Sequence, residues 1–190
     1  MKAKYLFLFF SWTLIQFSCS RVLSPLTQDL IDENKWTDKE LTKIQFYLSD
    51  QIILRRKATS GATEIQNGKI KTINGEKIEE IVFEQGTPGV MVFSPKLNRF
   101  AISFEQGDQP KYLMFGPNPK MGDKYVLLGK DWERSGGQVT YNNEVYYTPS
   151  QSAFTCLLID LKRAKNIEPG PSLRQAAPRR STRLRGQLAR

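Results

Sequence analysis

The acids best spaced for chemistry are Glu105 and Asp108, which flank Gly107, and Asp131 and Glu133, which flank Trp132. Two carboxylates beside aromatic side chains are the minimum for glycoside hydrolysis, one as acid and the other as nucleophile or base. Linear spacing does not set the separation that reaction needs, and acids in turns are mostly solvated. Other chemistries fall to composition. The chain has no histidine, which removes histidine triads, Cys–His dyads, histidine bases and histidine-ligated metals. Its two cysteines, Cys19 and Cys156, cannot build a zinc cluster. There is no Walker A loop, no glycine fingerprint opening a helix, and no calcium loop of alternating Asp and Asn. The sequence therefore assigns no catalytic residue, metal ligand or cofactor, and a binding role outweighs an enzymatic one.

Aromatic residues are the better clue. Tyr112, Trp132, Tyr141, Tyr146 and Tyr147 fall on late strands or at their ends, beside the loops Phe115–Pro119 and Ser135–Gly137. Rings at strand ends can form a stacking platform for a glycan, a peptide or a lipid group. Core packing is the competing explanation for any aromatic in a β domain.

The elements that must carry these residues read as follows. Thr37 and Glu40 make a capping box, with Trp36 and Leu41 placed for a hydrophobic staple. Leu41, Ile44 and Leu48 share one helical face, so a helix is predicted over 38–48. From Gln51 onward the period is two, punctuated by Gly, Asn and Pro. Strands are predicted over 51–56, 63–66, 69–73, 78–85, 90–93, 99–104, 111–115, 125–128, 139–141, 144–147 and 153–161. Asn67-Gly68 is a strong hairpin signal, which places Ile65 opposite Ile70 and Glu64 opposite Lys71. A four-residue loop over 74–77 sets Ile73 against Ile78 and Ile70 against Ile81. Phe100, Ile102 and Phe104 are expected inward, with Ala101 and Ser103 outward. The fold class is mainly β: an antiparallel barrel or sandwich of about ten short strands with one N-terminal helix.

Lys2 and Lys4 open the chain, an apolar run extends from Tyr5 to Phe17, and Ser18, Cys19 and Ser20 are small. These are the three parts of a secretory signal. The run is thirteen residues, short of the ~20 a spanning helix needs. Residues 1–18 are read as a signal peptide, 19–34 as a tether, 35–167 as one β-rich domain, and 168–190 as a disordered basic tail. That tail holds Arg174, Arg179, Arg180, Arg183, Arg185 and Arg190 and no acid. With those arginines and the leader lysines set aside, the net charge of +9 falls close to neutral. A basic tail is not a basic groove, so nucleic acid is not an expected partner.

The Ser18-Cys19 end of the leader resembles a bacterial lipoprotein signal, although Gln16 stands where leucine is usual. The resemblance implies that Cys19 becomes the first mature residue and carries the acyl chains. Cys156, in the apolar stretch Phe154–Leu158, would then have no partner. Without acylation, a Cys19–Cys156 disulfide is open to the chain. The run Trp36–Ser49 and the loop Phe115–Pro119 look similar to uncharacterised Bacteroidota envelope lipoproteins. Together these imply an envelope protein held on a membrane, the outer membrane first, by a lipid at Cys19. Its expected work is binding or scaffolding for an envelope protein or glycan. The alternatives are a lipid or small-ligand carrier, a carboxylate-dependent glycan hydrolase, and a soluble periplasmic or secreted protein.

Overall fold

The structure is a computed structural model that describes residues 22–58, 69–73, 75–105 and 111–166. Two antiparallel sheets form it. The first has seven strands in the order β1 (Leu23–Pro25), β12 (Leu157–Asp160), β2 (Gln45–Leu48), β6 (Pro88–Lys96), β7 (Arg99–Ser103), β8 (Leu113–Asn118) and β9 (Lys124–Leu127). The second has five, in the order β10 (Gly136–Tyr141), β11 (Glu144–Pro149), β3 (Ile52–Lys57), β5 (Glu76–Phe83) and β4 (Lys69–Ile73). The chain is mainly β, as its alternation predicts, and the sheets form a sandwich without closing into one barrel.

The chain passes between the sheets four times, and two of the crossings, Ser49–Gln51 and Glu84–Thr87, are adjacent bends. They are bonded to each other: Leu48 N–H donates to the Thr87 carbonyl at 3.3 Å, and Gly86 N–H to the Leu48 carbonyl at 2.9 Å. Gly86 takes φ +76° there, a left-handed turn that costs glycine little. Beyond β9, Lys130 and Gln138 of β10 exchange backbone hydrogen bonds at 2.7 and 2.9 Å. Between the layers, Phe46, Leu48, Ile52, Leu54, Phe115 and Leu157 are fully buried. Phe100 and Tyr125 stack with ring centroids 4.6 Å apart.

Five expectations change. The first is the tether. Residues 23–34 belong to the folded body: β1 pairs with β12, and α1 (Gln28–Asn34) follows. Thr27 caps α1 by accepting from Leu30 N–H at 3.2 Å. Leu26 and Ile31 are buried. Tyr125 donates its hydroxyl to Gln28 Oε1, fixing α1 against the sheet. Leu26 N–H donates to the Leu157 carbonyl at 2.8 Å, and its carbonyl accepts from Tyr125 N–H at 3.0 Å. One residue thus joins β12 to β9, the two flanks of the seven-stranded sheet.

The second is the 38–48 helix. The capping box forms, with Thr37 N–H donating to Glu40 Oε2 at 2.7 Å. The helix, α2 (Asp38–Leu41), is one turn long, and β2 starts at Gln45. Ile44, Phe46 and Leu48 are all buried, a period-two pattern. A continued helix would turn Phe46 off the apolar face, while a strand buries it and pairs with both β12 and β6. The third is the β4–β5 turn. It spans two residues, so Ile73 faces Glu76 and Ile70 faces Glu79, leaving Ile70 and Ile73 exposed. The fourth is β7, where Ala101 and Ser103 are buried along with Phe100 and Ile102; it is covered on both faces.

The fifth is the region before Cys156, a 3₁₀ turn over Ser150–Phe154 rather than strand, because β12 gains its partners only from Leu157 onward. Cys156 is buried and has no disulfide partner among the described residues. The Asn67-Gly68 hairpin, Cys19 and the arginine tail lie outside the described residues.

The first prediction concerns the first correction. Leu26→Ala should cost about 2–5 kcal/mol in denaturant unfolding, whereas the same change in a solvated spacer would leave stability unaltered.

Candidate functional site

The β10–β11 hairpin builds one wall of the site. Asn142 and Asn143 join its strands with φ of 51° and 62°, the paired positive angles of a type I′ turn. The opposite wall comes from β6 and the chain leading into β8. Two register shifts flank Phe93 on β6, and such bulges re-aim a side chain. Phe93 is exposed and meets Tyr112 edge-on, their ring centroids 4.9 Å apart.

Between these walls lies a cleft of about 350 Å³. Phe93, Pro95, Tyr112 and Met114 line its apolar side; Lys111, Thr140, Asn142 and Asn143 supply polar groups. Lys111 is anchored by Glu105 at 3.5 Å, and both side chains are mostly buried. That places a held ammonium group, two amides and a hydroxyl around an aromatic wall. The arrangement can bind a polar ligand that also presents an apolar face.

A second polar group sits on the inner face of the five-stranded sheet. Tyr146 donates its hydroxyl to Glu79 Oε1 at 3.2 Å. Arg56 bonds Glu79 and pairs with Glu144 at 3.1 Å, while its guanidinium lies 5.0 Å from the Tyr146 ring centre. Burial, then the Glu79 charge, pushes the Tyr146 hydroxyl up to about 12. Burial and the neighbouring Glu105 carboxylate raise Tyr141 further. Both phenols therefore stay protonated near neutrality, and Tyr146 serves as a donor rather than a base. The Tyr141 hydroxyl and Glu105 Oε1 find no hydrogen-bond partner among the described residues.

On the other face of the same strand, Glu80 is held by Arg55 at 2.8 Å and by Lys71. Burial opposes its ionisation, but the bonds and charges of Lys71 and Arg55 outweigh that and hold the carboxyl below the usual glutamate range. These carboxylates escaped the sequence reading. The available signal was Arg55-Arg56 and Glu79-Glu80, which align as opposite-charge pairs once β3 and β5 are set in register.

The five aromatics named from the sequence do not form one platform. Tyr112 lines the cleft. Tyr141 and Tyr146 are buried, packed edge-on to each other at 6.1 Å. Tyr147 projects from the face opposite Tyr146 and is exposed. Trp132 packs against the core, lying over Gly129 and Gly137. A Cβ on Gly137 would come within 2.5 Å of its ring, so the indole is a packing group. Asp131 and Glu133 are exposed on either side of Trp132, Glu105 is engaged with Lys111, and Asp108 lies outside the described residues. No group of three or more acids or thiols able to hold a metal occurs among the described residues.

Comparison with protein-family models, with curated proteins and with solved structures finds no match.

The Glu80 environment sets a pH dependence. Its folded pKa lies below the ordinary glutamate value of 4.5. The stability it contributes is therefore present above that value and lost as pH falls through the folded one. Unfolding free energy followed from pH 6 downward, at roughly unit steps, should decline less steeply in Glu80→Gln than in the parent chain.

Proposed function

We propose that this chain is an exported, lipid-anchored binding module of a bacterial envelope, held by Cys19, with the Phe93–Tyr112 cleft receiving a glycan. The observation that carries the anchor is the leader: Lys2 and Lys4, the apolar run to Phe17, and Ser18-Cys19. Body residues begin just beyond it, at Val22, so removal of residues 1–18 leaves every described element intact.

The glycan reading draws on the cleft. An aromatic ring stacks on the C–H face of a sugar, and amide and hydroxyl groups match its hydroxyls. Tyr112, Asn142, Asn143 and Thr140 supply that set, with Lys111 available to an acidic sugar. The hydrolase alternative needs two carboxylates flanking one bond; Asp131 and Glu133 stand exposed on either side of Trp132, and Glu105 is engaged with Lys111. The carrier alternative needs an interior space for its lipid. The rings of Phe46, Phe115, Tyr125 and Tyr141 occupy the interior.

Intact mass of the mature N-terminal peptide tests the anchor. A peptide starting at Cys19 with added acyl mass, in the membrane fraction, is the expected result. An unmodified peptide starting beyond Cys19, in the soluble fraction, would overturn it.

The ligand is tested by fluorescence titration with envelope oligosaccharides. Tyr112→Ala should weaken binding at least about tenfold, the loss typical of a stacking aromatic, while Tyr147→Ala should leave it unchanged. Equal loss in both variants, or no binding by the parent chain, would refute the cleft assignment.

A further inference from the structure

The first and last described strands are neighbours. β1 and β12 run antiparallel with Leu23 opposite Asp160, so the chain enters the body where β12 ends. The helix α3 (Leu161–Lys165) follows directly. Lys162, Arg163 and Lys165 on it are exposed, as is Lys43. Lys43 and Arg163 line one shallow groove of about 240 Å³ together with Asp160. Asp160 is the acid lining this groove, and its charge is already engaged. It caps α3 by accepting from Arg163 N–H at 3.2 Å and pairs with the Arg163 side chain at 3.5 Å. Lys39, Lys43, Lys162 and Lys165 are exposed at this end, with Asp38 of α2 an exposed acid beside them and Glu40 tied up in its capping box. The segment carrying Arg174 to Arg190 continues from this same end.

Distance gives this charge a consequence. Cys19 precedes Leu23 by four residues, which span at most about 14 Å when fully extended. The headgroup layer is itself roughly 5–8 Å deep, and surface potentials persist over about 8 Å at physiological ionic strength. A body tied at Cys19 therefore keeps this end within about one screening length of the headgroup surface. We propose that the end formed by α3 and Lys43 is a membrane-facing surface that binds anionic lipid headgroups of the bilayer holding Cys19. A lipid chain combined with a basic patch is the two-signal arrangement that makes anchoring stable. The proposal rests on Cys19 as the lipid-bearing residue for its geometry. Its binding term can be measured without the lipid.

The test uses the chain from Ser20 to Arg190, which retains every described element, in co-sedimentation with phosphatidylcholine vesicles and with phosphatidylglycerol-rich ones. The unacylated chain should bind the anionic vesicles, release with added salt, and ignore the zwitterionic ones. Lys43→Gln, Lys162→Gln and Lys165→Gln together should weaken binding about tenfold or more, given the contribution of each basic residue near an anionic surface. Lys69→Gln with Lys77→Gln, on the edge of the other sheet, should not. An unchanged near-ultraviolet circular dichroism spectrum confirms that each variant is folded. A chain ending at Asn166 separates the body from the arginine tail. Binding lost only in that truncation, equal binding to both vesicle types, or no loss in the triple variant would overturn the proposal. The mass of the mature N-terminal peptide reports on the anchor alone, so the two failures are distinguishable.

Discussion

Leu26 is where the structure is tied together. Its N–H bonds β12, its carbonyl receives β9, and its side chain is fully buried. Thr27 then bridges Lys124, and Val126 bridges Cys156, so the two margins of the seven-stranded sheet are stitched by single contacts rather than a continuous ladder. An open sheet margin presents a row of unpaired backbone groups to other chains. The seven-stranded sheet satisfies its own margins through this short segment. In the five-stranded sheet, β10 is partnered by Lys130, and the outermost strand β4 carries Lys69 and Lys71, charges that discourage edge-to-edge pairing. One sheet protects its margins by bonding and the other by charge.

The same stitch decides how the chain ends relate to the rest. Because residues 23–34 are strand and helix, the distance between Cys19 and the folded body is a few residues and not a long spacer. Because β1 lies beside β12, the N-terminal approach and the C-terminal departure share one end. The anchor reading and the basic end of α3 are thus coupled by backbone pairing, without any direct contact between the two. The cleft uses a separate part of the fold, the β10–β11 hairpin against β6 and β8.

Much of the fold was legible from residue patterns that act locally. The Thr37–Glu40 box and the period-two runs that give β3 and β7 each declare their geometry within a few residues. What stayed hidden depended on partners far along the chain. Leu41, Ile44 and Leu48 have helical spacing, and only the burial of Phe46 between β12 and β6 resolves the stretch as strand. Residues 20–34 look polar because Leu26 and Ile31 find their apolar surroundings in β9 and β12. Of the site, Tyr112 was legible as an aromatic at a strand end. Its separation from Tyr141, Tyr146 and Tyr147 was not, because register decides which face each ring takes. Glu79 and Glu80 carry no signal of their own until β3 supplies Arg55 and Arg56 opposite them.

The most direct measurement is amide hydrogen exchange at Leu26 in the native chain. Its N–H is bonded to Leu157 inside a buried segment, so it should exchange only through opening of the sheet, with protection comparable to core amides such as Tyr125. Exchange at the rate of an unstructured peptide would contradict the account. Residues 22–34 would then be a free tether, and neither the short reach from Cys19 nor the shared end of the sandwich would stand.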